Sequence, residues 1–526
     1  MNSAATDHKE NHFLVSFDPA TGNELGRIGI DSAAEVVEMV DRSRQCFQQW
    51  RRTSFAERKR LMMKAREVIL EEMDEIAGLI SAESGKPVAE ALALEIAPAL
   101  DLMQWAARET EKMLKPRKIG IGLFSLMGRS SKIIYQPLGV IGIIPAWNYP
   151  FSIPIGEAAM ALMAGNTVVI KPSELTPLVG LKIGEIFKKA GFPKNAVQIV
   201  SGAGETGAAL VDARPDKIVF TGSVATGKKI AEAAAKDLIP FVLELGGKDP
   251  MIVLEDADLD AAANVAVWGA FSNAGQNCAS VERLFVHERI AEELTRRIIE
   301  KTKRLKLGRG TDPDVSIGPM SSERQVRIVE KHVNDFREAG AVIETGGERD
   351  PEKGELFYKP TVITGARNEI RPMQEETFGP TLPICTFTTD EEAVALANDT
   401  EFGLTASVWT RDISRGEKLA EKIEAGTVCI NEHLYTHGIG QTPWGGFKNS
   451  GRGRTHGQEG LMELVQPQHI HTNRITLLPD AWWMPYSATA IQTFRQFATK
   501  FASGSLFKTA KMLPQLLKRI REIRRG

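Results

Sequence analysis

The chain has 526 residues, 43% hydrophobic and 25% charged, with 46 glycines and 26 prolines. At roughly 150 residues per folding unit this length allows about three or four units and a large core, and the composition excludes a disordered chain, a collagen-like repeat and a disulfide scaffold. The net charge of −2 excludes a nucleic-acid binder on overall balance, yet it hides a +8 segment over the last 40 residues beside −10 over residues 1–486.

The N-terminus, Met1 to Glu10, lacks the charged-then-apolar pattern of a signal peptide. No apolar run reaches the roughly 18 residues of a spanning helix. The expected location is cytoplasmic. Residues 32–112 carry helical periodicity, with Val36, Val40, Leu61, Ile76 and Ile80 among the apolar positions. Short β-branched runs then alternate with helical ones. Strands are expected at 132–136, 140–144, 167–170, 197–200, 217–220 and 241–245. Helices are expected at 178–190, 206–211 and from about Gly227 to Lys236. This is a βαβαβ plan with a doubly wound, mostly parallel sheet. A second alternating region has strands at 250–254, 283–287, 341–343, 361–363, 384–387 and 427–430. Its helices are expected at 260–271, 290–305 and 323–339. The fold class is therefore α/β.

Four cysteines without a CxxC pair or a His cluster predict neither a disulfide framework nor a metal site. Cys46, Cys385 and Cys429 lie in apolar or amphipathic patterns and read as small buried hydrophobes. Cys278 differs, because it follows the turn Gly275-Gln-Asn277 beside two polar amides. A thiol there can reach a substrate carbon as a nucleophile. Glu244 is a lone acid in an apolar strand that ends in two glycines. It is either a strand-end partner of Lys248 or a partly desolvated general base. Asn148, in the Pro-bounded loop 145–150, is either a turn residue or an oxyanion donor.

Three further segments fit a dinucleotide. Lys171 and Glu174 follow a strand and either grip ribose hydroxyls or form an exposed ion pair. Gly222-Ser223 follows another strand just before a helix, where a phosphate can sit. A GxGxxG at Gly202, Gly204 and Gly207 competes with it. In Glu375-Glu-Thr-Phe-Gly-Pro380, Phe378 can pack on a flat ring and Glu376 can hold a ribose, or the run is a charged turn.

In this order, the motifs resemble the NAD(P)-dependent aldehyde dehydrogenase superfamily from about residue 13 to about 475. The residues that carry the resemblance are Trp147-Asn148, Lys171-Pro-Ser-Glu174, Phe220-Thr-Gly-Ser223, Glu244-Leu-Gly-Gly-Lys248, Gly275-Gln-Asn-Cys278 and Glu376-Thr-Phe-Gly-Pro380. The resemblance implies a Rossmann-like NAD-binding domain (1–113 and 138–246), a catalytic domain (247–440) and a β oligomerisation arm (114–137 and 466–478). It implies Cys278 as nucleophile through a thiohemiacetal and thioester, Asn148 as oxyanion donor and Glu244 as the base for water. Trp147, Lys171, Ser173, Glu174, Gly222, Ser223, Gly227, Leu245, Glu376 and Phe378 would surround the cofactor, and the GxGxxG would not hold the pyrophosphate. Ala146 stands where the family usually has Pro.

The implied partners are an aldehyde and a second or further copy of the chain, as homodimer or homotetramer. Glu174 favours NAD, with NADP possible. Succinate semialdehyde is one candidate substrate and a broader aliphatic or aromatic range is another, with 432–438 as entrance loop. A cofactor-independent thioesterase and a non-catalytic structural protein are the readings from other classes. Residues 479–526 form a basic amphipathic extension. Trp482, Trp483 and Tyr486 precede Ile491, Phe494, Phe497, Phe501, Leu513, Leu516, Leu517 and Ile520, with cations between them. Such a segment suits either a membrane surface or packing on protein.

Overall fold

The structure is a computed structural model and describes residues 9–10, 12–501, 504 and 506–525. Residues 1–8, read above for a leader, lie outside the described residues, as does the side chain of Phe501. The chain divides into two compact units, Met1–Met113 with Pro137–Gln466, and Leu114–Gln136 with Pro467–Gly526.

The first unit holds two large sheets. In one, the strands run in the order Phe241–Glu244, Lys217–Thr221, Val140–Ile144, Thr167–Ile170, Val197–Ile199, all parallel. The short strand Gly451–Arg452 adds to the Phe241 edge antiparallel. Val140–Ile144 is buried throughout, the pattern of a parallel strand covered on both faces. The chain order reverses between Val140–Ile144 and Lys217–Thr221, so a crevice opens there beyond the strands' carboxyl ends. Helix Ala33–Trp50 begins with a capping box between Ser32 and Glu35 and buries Val36 and Val40 in the same core as Val140, Val169 and Ile218.

The second sheet has seven strands, in the order Val342–Thr345, Thr361–Thr364, Thr381–Phe387, Val281–His287, Asp249–Val253, Thr405–Trp409, Thr427–Ile430. Only the first of these pairs antiparallel. Helix Leu259–Phe271 packs on it through Ala262, Ala263, Ala266 and Ala270.

The expected strands and helices are present, two of them with shifted bounds, and several elements were not expected, among them helices Ser152–Ala164, Asp390–Asn398 and Ile413–Ala420. The helix expected from about Gly227 begins at Val224, because Ser223 caps it by accepting from the Thr226 N–H at 3.3 Å. The helix expected over 290–305 is a single 3-10 turn followed by Ala291–Thr302. Thr405–Trp409 was not expected as a strand. Its Thr-Ala-Ser start carries no strong β pattern, and burial between two parallel neighbours decides it.

The second unit contains a three-stranded sheet, Val465–Asn473, Arg129–Pro137, Arg117–Ile119, and helices Ala488–Gln496, Leu506–Ala510 and Leu513–Arg525. The apolar stripe read along this extension divides in space. Phe494 and Phe497 turn inward onto Trp482, with ring centroids 6.4 and 4.9 Å away. Ile491, Leu513 and Leu517 remain exposed. Among the described residues no helix is long and apolar enough to cross a membrane.

Candidate active site

The crevice at the switch point has a volume of about 1100 Å³. Its lining draws on Trp147 and Asn148 after one strand, Lys171, Ser173 and Glu174 after the next, and Gly222 and Ser223 after a third. Glu244, Leu245, Cys278, Glu376 and Phe378 complete it, so nearly every residue singled out above reaches one cavity. Gly227 sits in the first helical turn, where a Cβ would lie 2.7 Å from Leu245 Cδ2. Its role is to let Leu245 close the wall. Gly204 and Gly207 of the GxGxxG also line the crevice, while the Gly202 carbonyl accepts from Lys171 Nζ at 3.2 Å.

The thiol stands on a strained turn. Asn273, Ala274 and Gly275 take φ of 51°, 55° and 70° in succession. A Cβ at Gly275 would meet the Gly379 carbonyl oxygen at 2.2 Å, so the close approach needs glycine. Cys278 is half-buried, with Sγ 3.8 Å from Asn277 Oδ1. Burial, then the carboxyls of Asp249, Glu376 and Glu244, push its pKa well above the ordinary thiol value. The resting thiol is therefore protonated and needs a base.

Glu244 supplies a carboxyl beside it. Both of its oxygens are buried and lack a hydrogen-bond partner. Burial, reinforced by Glu157, holds its pKa well above the usual carboxylate range, with Arg454 opposing. The alternative pairing with Lys248 is not formed. Lys248 instead makes a buried ion pair with Glu282 at 2.5 Å.

Asn148 is buried. Its Nδ2 donates to the Gln276 carbonyl at 3.2 Å, and its Oδ1 has no partner. One amide hydrogen remains available toward the cavity. Its main-chain oxygen is held from below by Lys86 Nζ at 2.7 Å and Asn273 Nδ2 at 3.1 Å.

The cofactor motifs also have defined partners. Lys171 Nζ lies 3.6 Å from Glu174 Oε2. Lys171 is almost fully buried, so the pair is only half exposed, and burial lowers the lysine pKa. Glu376 Oε1 accepts from the Gly247 N–H at 3.0 Å, and burial raises its pKa to about 8. Trp147 and Phe378 meet edge to face at 5.5 Å. Acidic groups at two places in the crevice, a pair of aromatic rings and a helix N-terminus behind Ser223 fit a dinucleotide.

With that geometry in view, comparison with known proteins decides the family: the aldehyde dehydrogenase family model matches residues 5–470. The chain belongs to the aldehyde dehydrogenase family. It oxidises an aldehyde to the carboxylic acid with reduction of NAD(P). An aldehyde dehydrogenase of Sinorhizobium meliloti, described as NAD-dependent, has TM-score 0.86 at 37% identity, covering 91% of this chain and 95% of that one. An NAD+ complex of the Bacillus cereus aldehyde dehydrogenase has TM-score 0.84 at 35% identity, covering 88% and 93%.

A relative from Methylomonas sp, 4,4'-diapolycopene aldehyde oxidase, is 37% identical over 510 residues, 97% of this chain and 95% of its own. That match reaches into 479–526. A Mycobacterium tuberculosis protein, provisionally named succinate-semialdehyde dehydrogenase for NADP(+), is 38% identical over 466 residues, 88% of this chain and 89% of its own.

Several residues of this aldehyde dehydrogenase's site were not singled out from sequence. A small second cavity also reaches Cys278 and Glu244, and Glu157, His437, Trp444 and His456 line it. Glu157 accepts from Thr221 Oγ1 at 3.5 Å, and burial raises its pKa to about 8. Its sequence signal was the one used for Glu244, a lone acid in an apolar run. Burial lowers His437 to about 4 and His456 well below its ordinary value, so both stay neutral. His433, on the expected entrance loop, is instead fully buried and bonds the Ala279 carbonyl at 2.9 Å.

Proposed function

We propose that Cys278 is the nucleophile, Glu244 the general base, and Asn148 with the Cys278 N–H the oxyanion donors. The convergence of this thiol, this unpartnered carboxyl and this amide on the switch-point crevice carries the reading. Glu244, in its ionised form, takes the proton of the thiol and passes it to solvent, which frees the carboxylate for a second proton transfer. The thiolate attacks the aldehyde carbon and forms a C–S bond, and the oxygen takes the charge as a thiohemiacetal. Asn148 Nδ2–H and the Cys278 N–H stabilise that charge where it develops. NAD(P), when bound, supplies the acceptor for a hydride from that carbon. Cys278 then holds the acyl group as a thioester. Glu244 deprotonates a water that attacks it, the C–S bond breaks, and the acid leaves with the thiolate regenerated.

Lys171, Ser173 and Glu174 hold the adenosine ribose. Gly222 and Ser223 hold the pyrophosphate, and Gly227 and Leu245 shape the wall behind it. Glu376, Phe378 and Trp147 steady the nicotinamide end. A carboxylate at Glu174 accepts from a 2′-hydroxyl and repels a 2′-phosphate, so NAD is the preferred cofactor. Residues 1–113 and 138–246 serve as cofactor domain, 247–440 as catalytic domain, and 114–137 with 466–478 as the arm of a homodimer or homotetramer. The enzyme is cytoplasmic, and residues 479–526 make a peripheral membrane contact.

The substrate is an aldehyde without a negative charge. Among the described residues, the cavity beside Cys278 is lined by Glu157 and Glu244, two neutral histidines, two threonines, Trp444 and apolar side chains, and by no Lys or Arg. A substrate carboxylate would be buried there without a counter-ion. This favours the chemistry in the Methylomonas relative's name over that in the Mycobacterium relative's name. NAD(P)H formation with aliphatic and aromatic aldehydes, set against succinate semialdehyde, tests it. Higher kcat/KM for the uncharged aldehydes is expected, and turnover confined to succinate semialdehyde would overturn the substrate reading.

A further inference from the structure

The second unit carries a concentration of exposed apolar surface. Among the described residues, ten of 21 exposed large hydrophobic side chains lie between Ile475 and Leu517. They include Leu477 at 88% exposure, Met484 at 71%, Tyr486 at 62% and Trp483 at 54%. Scattered single apolar residues need no explanation, but a cluster of this density does.

The cluster is built and held. Arg519, in helix Leu513–Arg525, is fully buried, although it belongs to the basic stretch. Its guanidinium donates to the Ala481 carbonyl at 3.1 Å and to the Trp483 carbonyl, and pairs with Glu522 at 2.9 Å. Glu522 also holds the Ser487 side chain. Arg524 donates to the Leu477 carbonyl at 2.9 Å. The segment 477–487 is thus stapled along the helix, and the side chains of Trp483, Met484 and Tyr486 are left exposed to solvent while Trp482 packs inward. An arginine spent on backbone carbonyls leaves Lys518, Arg521 and Arg525 beside the same segment as surface cations.

We infer that segment 477–486 and helix Leu513–Arg525 together form a docking face for an anionic lipid bilayer surface. This rests on the membrane contact proposed above and names its surface and its lipid. Trp and Tyr favour the headgroup level, and the exposed Leu and Met side chains enter the acyl boundary. The cations meet acidic headgroups within a Debye length. Residues 1–476, at −9, are repelled by the same headgroups, so charge favours contact through the C-terminal segment. A second copy of the chain is the competing occupant, and its acidic body would meet the cations but offers no reason for the Trp–Met–Tyr tip.

The test is sedimentation of the full-length enzyme with vesicles of phosphatidylcholine alone or with 30% phosphatidylglycerol. At least tenfold stronger binding to the anionic vesicles is expected, weakening as salt rises. Two variants follow: W483S/M484S/Y486S, and K518E/R521E/R525E. Each is expected to lose at least tenfold in binding while NAD(P)H formation from a water-soluble aldehyde stays unchanged. In wild type, vesicles should slow amide exchange over 477–491 and 513–525, which needs no variant to fold.

Equal binding to neutral vesicles would overturn the anionic-lipid inference and leave the membrane contact standing. Anionic binding that survives both variants, without slowed exchange in these segments, would overturn the assigned face alone. No binding to either vesicle, with a changed oligomeric mass in the variants, would overturn both and assign the face to a second copy.

Discussion

The buried ammonium of Lys86 donates to the main-chain oxygen of Asn148 at 2.7 Å while pairing with Glu95 at 2.5 Å. Glu95 in turn accepts from the N–H groups of Phe151 and Ser152 at 2.8 and 3.2 Å. The loop that aims the Asn148 amide is therefore fixed from beneath by one ion pair. Neither charged group touches the crevice.

Lys86→Met should leave Glu95 as an unpaired buried charge and cost about 3–5 kcal/mol of stability, read by chemical denaturation. Its kcat should fall roughly tenfold or more with KM little changed, since the loss is of orientation in the transition state. Pairing it with Glu95→Leu should recover stability without recovering kcat. Recovery of both would mean that the pair only stabilises the fold.

Cys278→Ala should abolish aldehyde-dependent NAD(P)H formation while leaving NAD(P) binding intact, measured by fluorescence titration. Glu244→Gln should slow the NAD(P)H burst, because the thiol loses its base, and should slow steady-state turnover roughly a hundredfold or worse, because the thioester loses its water-activating base. Because the Glu244 carboxyl is held well above its ordinary value, wild-type turnover should rise with pH as that carboxyl ionises. The Gln variant should lose that limb of the pH profile.

Glu157 provides a stability test with a definite sign. Its folded pKa, about 8, lies above the ordinary carboxylate value, so the folded chain binds the proton more tightly than the unfolded one. The stability from that proton is full below about pH 4 and is lost as pH rises through about 8, by roughly 1.4 kcal/mol per pH unit across the window. Gln mimics the protonated acid and does not titrate. Glu157→Gln and wild type should therefore differ in Tm more at pH 9 than at pH 5, with the variant relatively favoured at high pH. A pH-independent Tm difference would refute an ionisable, buried Glu157.

Glu174→Ala should raise KM for NAD and lower it for NADP, changing the NADP/NAD ratio of kcat/KM by roughly tenfold, about 1.4 kcal/mol. Steady-state kinetics with both cofactors measures it. The half-exposed ion pair with Lys171 means little stability should change with it.

Much of the doubly wound sheet was legible because its strands are short apolar runs bounded by Gly and Pro, a local pattern. Cys278, Glu244 and Asn148 were legible because each breaks the pattern around it. Glu157 breaks its pattern equally, but a lone acid in a helix has no sequence mark separating a cavity wall from an exposed face. Lys86 and Glu95 look like ordinary surface charges, nine residues apart in a helical region. Only the chain's return at Asn148, 62 residues on, gives Lys86 its second partner. Within the loop 432–438 only packing separates the two histidines: His433 is a buried strut beneath Ala279, while His437 lines the cavity beside Cys278.

By itself the sequence determined the α/β plan, the order of the chemical motifs and the uneven charge that separates an acidic body from a basic end. Periodicity and charge are local or additive, so they survive without coordinates. The tertiary structure alone decided which motifs share one crevice, that Lys248 belongs to Glu282 and leaves Glu244 unpartnered, and that Arg519 is withdrawn from the basic surface to staple an exposed aromatic segment. Those outcomes depend on which distant groups are desolvated together, and burial is a property of the packed whole.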